Sequence, residues 1–128
     1  MSTIKAANVQ NTGSGAPTFK NSSGTEIGQL ASAWVHFDPI STLAIKEDFN
    51  VSSVTDNGTG DYTVNYSTSV GSTPCVVTSA SWNDMKRAGW SGLNPLNIPG
   101  TSSAQILVQQ PSSYTFYDPK IVTVAVFG

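Results

Sequence analysis

The chemistry that this chain could perform is narrowed by how few reactive side chains it holds and how they are spaced. The single histidine, His36, alternates with Val35 and Phe37 in a period of two, so it reads as a structural or interface side chain of a strand, with the general-base role as the weaker reading. Glu47 and Asp48 are adjacent, which on a strand points them to opposite faces and prevents a carboxylate pair. Asp56, Asn57 and Asp61 bracket a glycine turn and could ligate calcium. Their spacing departs from the calcium-loop signature, however, and Asp and Asn are favoured turn residues in their own right. Cys75 follows Pro74 and precedes two valines, and reads as an inert small apolar residue. No Gly-x-Ser-x-Gly or phosphate-loop pattern occurs. The expectation is a protein that is not an enzyme, with no catalytic residue, cofactor or metal.

The remaining chemical signal is aromatic. Trp82, Trp90, Tyr114, Phe116 and Tyr117 fall at or inside two segments, 83–100 and 111–119, that lack strand alternation and read as long loops. Rigid aromatics beside Asn and Asp suit sugar faces or protein partners, so these five are the candidate partner or glycan contacts. The competing reading is that the loops fold back and bury their own aromatics. Asp84, Lys86 and Arg87 form the densest charge cluster and mark a solvated tip of the first loop.

Short strands must position these loops. AWVHFD at 33–38 alternates with a period of two and stops at Pro39. Residues 49–67 read as a β-hairpin: FNVSSV, a turn segment from Thr55 to Asp61 containing the Asn57-Gly58 pair, then Tyr62, Val64 and Tyr66 on one face and Thr63, Asn65 and Ser67 on a wet one. Further strands are expected from Cys75 to Trp82 and from Ser103 to Gln109. Ile121 to Phe127 is nearly continuously apolar, as in a strand buried on both faces or central in a sheet or subunit contact. Trp82 to Ala88 offers one helical turn at most. Six or seven short strands with turns every 8 to 12 residues predict an all-β fold, an antiparallel β-sandwich or barrel-like domain. Residues 1–30 hold only isolated apolar side chains (Ile4, Val9, Phe19, Ile27, Leu30) among Gly, Ser, Asn and Thr, and read as an extended N-terminal arm ahead of a 31–128 domain.

Composition excludes several classes. Of 128 residues only 11% are charged, against about 25% in a typical domain, and about a quarter are Ser or Thr. Too little Glu and Lys is present for a coiled coil or helical bundle. A net charge of −2 is too small for a disordered solvating segment, and six scattered basic residues give no footprint for nucleic acid or anionic lipid. One cysteine allows no internal disulfide, no apolar run approaches the length of a membrane helix, and no secretory signal is visible at the N-terminus.

Four segments, MSTIKAANVQNTGSGAPTFKNSSGTEIG at the start, AWVHFD at 33–38, FNVSSVTDNGTGDYTVNY at 49–66 and IVTVAVFG at the end, resemble short structural and tail-fibre-like virion proteins of tailed bacteriophages, of the marine and freshwater cyanophage type. They cover about half of the chain. The pattern departs at 38–42, DPIST, where the family has a Gly-Thr turn, and at 67–74, STSVGSTP; 83–119 has no counterpart. The resemblance implies a non-enzymatic, β-rich virion subunit that is trimeric, jelly-roll-like or Ig-like, and carries no catalytic residues. The expected function is a tail-fibre-like subunit attached through arm residues Ile4, Val9, Phe19 and Ile27, with other virion proteins as partners and its loops contacting host surface glycan. The alternatives are a capsid head-decoration or cement protein and a free carbohydrate-binding module. A glycan hydrolase ranks last for want of an acid–base pair.

Overall fold

A computed structural model describes residues 3–10, 18–81, 88–94, 97–110 and 113–128, with ten strands and no helix among them. The chain divides into two units, Met1–Leu30 and Ala31–Gly128.

In the first unit, β1 (Phe19–Lys20) and β2 (Glu26–Gly28) form a two-stranded antiparallel ladder. The turn between them is organised by Asn21. Its Oδ1 accepts the backbone N–H groups of Ser23 and Thr25 and the Ser23 hydroxyl, while Gly24 supplies a φ of +82°. The sequence reading missed this short hairpin because no periodicity accompanies it. Ile4, Val9, Phe19, Ile27 and Leu30 are all exposed, as expected of a segment that buries no face of its own.

The second unit is sandwich-like and entirely antiparallel, built from β3 (Ala33–Asp38), β4 (Ala44–Phe49), β5 (Val51–Gly58), β6 (Asp61–Tyr66), β7 (Cys75–Ser81), β8 (Ala88–Leu93), β9 (Ser103–Gln109) and β10 (Val122–Phe127). Their order is β4-β3-β10-β7-β8-β9-β6-β5. Among the described residues, β7 and β8 share the pairs Ala80↔Gly89 and Ser81↔Ala88. There the sheet divides into two four-stranded halves whose inner faces supply the core. Ala33, Val35 and Phe37 from β3 and Val122, Val124 and Val126 from β10 are buried with Tyr62, Val64 and Tyr66 from β6 and Ala104, Ile106 and Val108 from β9. The rings of Phe37 and Tyr62 meet edge to face, 5.3 Å apart and at 72°, joining the two halves.

Several expectations need correction. The segment 83–100 is not one loop: β8 lies inside it, uncovered by alternation because Gly89 and Gly92 interrupt the pattern. Strand β4, AIKEDF, was not foreseen. It is an edge strand with Lys46, Glu47 and Asp48 all exposed, the charged composition by which edges resist further pairing. The hairpin turn lies at the end of the expected Thr55–Asp61 segment: Gly58 pairs with Asp61, so the turn residues are Thr59-Gly60 rather than the Asn57-Gly58 pair, and Asn57 occupies an irregularity in the ladder. Strand β10 is central, between β3 and β7, yet its outer face is not buried within this chain, since Thr123 is exposed. Cys75, at the start of β7 and opposite Phe127 of β10, is a free, exposed side chain.

The two edge strands are consecutive in the chain and are joined by one residue, Asn50, at φ +55°. Its Nδ2 donates to the carbonyls of Ser32 (2.9 Å) and Thr68 (3.0 Å), and its Oδ1 accepts the Thr68 N–H (2.8 Å). Its own carbonyl accepts the Ser67 N–H. Asn tolerates the left-handed region that most side chains avoid. Replacing Asn50 with Ala is expected to lower stability by about 3 kcal/mol, through left-handed strain plus three lost hydrogen bonds. Asn50→Gly, which keeps the backbone angle, should lose clearly less. Urea unfolding of the two variants measures this, and equal losses would remove the backbone contribution.

Candidate functional site

The outer face of β5, β6 and β9 is largely polar and internally hydrogen-bonded. Alternation sends Tyr62, Val64 and Tyr66 inward and leaves Asp61, Thr63 and Asn65 outward. Register then fixes their neighbours. Asn65 lies opposite Ser53 on β5 and Ser103 on β9, Thr63 opposite Thr55 and Gln105, and Asp61 opposite Gly58 and Leu107. Asp61 accepts from Gln105 Nε2 at 2.7 and 3.0 Å and from Asn57 Nδ2 at 3.1 Å. Asn57 Nδ2 also donates to the Thr63 hydroxyl at 2.9 Å. Asn65 Nδ2 donates to the hydroxyls of Ser53 and Thr55, both at 3.0 Å. Gln105 Oε1 in turn accepts from Asn94 at 3.0 Å and Asn97 at 2.6 Å. Such a ladder fixes side chains that would otherwise sweep through several rotamers, so a ligand meets a preformed surface.

At one end of this face the 113–121 segment returns to the sheet. Phe116 forms a bridge with Gln109 of β9, on the side where β6 has already ended, and Trp90 pairs with Gln109 from β8. Cross-strand partners share a face, so Phe116 continues the polar surface as an aromatic end. It is 48% exposed, and Tyr114, held in the same turn at φ +56°, is 65% exposed. The turn is closed by Tyr114 N–H donating to Gln110 O and Gln110 N–H donating to Thr115 O.

The anchor of this segment is buried. Tyr117 is 7% exposed and its hydroxyl donates to Ser81 O at 3.1 Å, while the Ser81 N–H donates to Ile121 O and the Ile121 N–H donates to Ser81 Oγ. Asp118 Oδ1 accepts both the Tyr62 hydroxyl, at 2.6 Å, and the Gly60 N–H, at 2.8 Å. Gly60 cannot be replaced there. It has φ +68°, and a Cβ would come within 2.5 Å of Val108 O and 2.9 Å of the Tyr117 backbone.

Of the five aromatics singled out by sequence, Phe116 and Tyr114 are therefore outward on one turn. Tyr117 is a core residue whose ring faces inward, because the segment alternates like a strand from the Gln109↔Phe116 bridge onward. Trp82 and the Trp90 side chain lie outside the described residues, as do Asp84, Lys86 and Arg87. His36 is half-buried on the other half, opposite Glu47 and Thr123. The Asp56–Asp61 turn is held by its own hydrogen bonds, Asn57 to Asp61 and Gly58 N–H to Asp56. Sequence reasoning missed Gln105, Asn94 and Asn97. The available signal was the alternation of Gln105 with Ala104 and Ile106, which marks it as the outward residue of β9.

Burial raises the Tyr62 hydroxyl far above the usual tyrosine value of 10.0, reinforced by its hydrogen bond to Asp118 and by that group's negative charge. Burial alone pushes Tyr66 up to about 12, and its hydroxyl has no partner. A raised value means that the fold holds these protons more tightly than the unfolded chain, which releases them near pH 10. The contribution to stability is complete below pH 10 and is lost as pH rises further. Tyrosinate absorbance from these two rings should therefore appear together with unfolding, above pH 10. Tyr62→Phe should cost about 2 kcal/mol at neutral pH, since its hydrogen bond goes to a carboxylate, and should weaken the alkaline decline. Tyr66→Phe should cost nothing at neutral pH. Denaturant titrations at neutral and alkaline pH separate the two.

No family model matches the chain, and no curated protein matches it. Among solved structures, the phiAB6 tailspike in complex with three-repeated oligosaccharides of Acinetobacter baumannii surface polysaccharide superposes with a TM-score of 0.57 at 14% sequence identity, over 98% of this chain and 30% of the tailspike chain. The chain thus spans under a third of that protein's length, and at this identity the likeness is one of fold: this protein shares a β-fold with part of a phage tailspike.

Proposed function

We propose that this protein is a non-enzymatic, tail-fibre-like subunit of a bacteriophage virion that binds a surface glycan of the host. The observation that carries this reading is the preformed, amide- and hydroxyl-covered face of β5, β6 and β9 with Phe116 and Tyr114 at its end. Sugars offer vicinal hydroxyls that planar amides and carboxylates bind in pairs, and apolar C–H faces that aromatic rings cover. The fold shared with a tailspike supports the same reading. The exposed apolar residues of the 1–30 segment, Ile4, Val9, Phe19 and Ile27, support its role in attachment to other virion proteins.

The subunit is proposed to act as a homotrimer. Support comes from the outer face of the other half, where Phe49, Trp34, Ala125 and Val77 stand in one cross-strand row over β4, β3, β10 and β7. Phe49 and Val77 are each 55% exposed, and the row is uncharged throughout. A matching row on another copy would cover it without stranding a charge.

Phe116→Ala should reduce adsorption of protein to host cells about tenfold, the scale of one lost ring contact, with an unchanged circular dichroism spectrum. Unchanged adsorption would count against the glycan face. Light scattering of the purified protein should show a closed oligomer that Val77→Glu dissociates. A wild-type monomer at micromolar concentration would dispose of the trimer.

A further inference from the structure

The hydrogen-bond polarity of the β5–β6–β9 face selects the chemical class of its ligand. Asp61 is the carboxylate among the outward residues of β6 and β9, and a carboxylate accepts but never donates, so it fixes the orientation of the amides around it. Gln105 must turn its NH2 toward the carboxylate, as must Asn57. The carbonyl of Gln105 then points to Asn94 and Asn97, which are obliged to present their own NH2 groups. Asn65 is set in the same sense, its NH2 directed between the Ser53 and Thr55 hydroxyls and toward the Thr63 carbonyl. The amide donors of Asn57, Asn65 and Gln105 are consequently engaged within the face.

What remains for a ligand is complementary to that arrangement. Asn57 and Asn65 keep carbonyl oxygens free of partners. The hydroxyls of Thr55 and Thr63 accept amide N–H groups and retain their own protons. The surface therefore offers carbonyl and carboxylate acceptors together with hydroxyl donors, and no Lys, Arg or His stands at any of its positions. A carboxylated or sulfated sugar laid on it would bring its anion toward Asp61 with no cation to compensate, which is costly in a partly dehydrated contact. A neutral sugar, whose hydroxyls donate as readily as they accept, meets both kinds of group.

Resting on the glycan-binding reading above, we infer that this face binds neutral saccharides, hexose or N-acetylhexosamine units, and discriminates against acidic ones. Aspartate at position 61 acts as the selecting residue, both through its charge and through the orientation that it imposes on Gln105 and Asn57.

The test is a microarray carrying neutral oligosaccharides and their uronic- and sialic-acid-bearing counterparts, probed with the full-length protein and two variants. Wild-type protein should be retained by neutral glycans. Asn65→Ala should weaken that retention about tenfold, having lost the free carbonyl and the order it gives to Ser53 and Thr55. Thr55→Lys, an exposed position on the edge strand that leaves the core untouched, should shift retention toward acidic glycans. Thermal melts of both variants verify the fold. Wild-type preference for acidic glycans, or neutral retention that survives both substitutions, overturns this assignment while leaving glycan binding in place. Retention by no glycan at all overturns the proposed function, and this inference with it.

Discussion

Everything in the 31–128 unit hangs on how its sheet is closed, and the closure passes through one residue. Strands β4 and β5 occupy opposite ends of the strand order yet follow each other in the chain, so the backbone must cross from one half of the sandwich to the other at Asn50. A left-handed backbone angle makes the corner, and the side chain then ties it to the carbonyls of Ser32 and Thr68, just before β3 and just after β6. This places the start of β3 beside the end of β6 and so sets the depth of the core between them. The Phe37–Tyr62 contact follows from that spacing. Asparagine satisfies both requirements at once, because its short amide tolerates the angle and also supplies donor and acceptor.

The second constraint is Asp118, which connects the core to the candidate site. Its carboxylate accepts a hydroxyl from Tyr62, a core ring, and a backbone N–H from the Gly60 turn. The segment bearing Tyr114 and Phe116 is thereby fastened at its base to the same hairpin that carries Asp61, Thr63 and Asn65. Polar surface and aromatic end are positioned by one set of bonds, which keeps their geometry fixed relative to each other. A binding surface built in this way gives up little side-chain freedom on meeting a ligand.

How much of this was legible in the sequence varied with the physics of each element. Strands β3, β6 and β9 were readable because one face of each is buried and the other wet, which writes a period of two into the residues. Edge strand β4 was not, since neither of its faces is fully covered and its charges imitate a loop. Strand β8 was hidden by glycines. Within the expected turn segment, Asn57-Gly58 is the stronger local signal, whereas the position of the turn at Thr59-Gly60 is demanded by a close approach of Gly60 to Val108 and Tyr117 that only the fold creates. The site was half visible: the wet alternation of Thr63 and Asn65 was in the sequence, and so were Tyr114 and Phe116. The inward turn of Tyr117 and the link between Asp61 and Gln105, 44 residues apart, depend on register between distant strands.

The scarcity of charge acquires a physical cause from these pieces. A sheet with both halves in one small domain needs outward residues that do not repel their cross-strand neighbours, and charges on adjacent strands are tolerated only in matched pairs. The chain uses Ser, Thr, Asn and Gln instead, and these can satisfy one another across strands, as Asn65 does with Ser53 and Thr55. In a ladder so nearly neutral, one carboxylate is enough to orient every amide it reaches. A face crowded with salt bridges would drown that influence, because each amide would answer to several charges at once. The low charge content and the directional order of the Asp61 network are two sides of one arrangement.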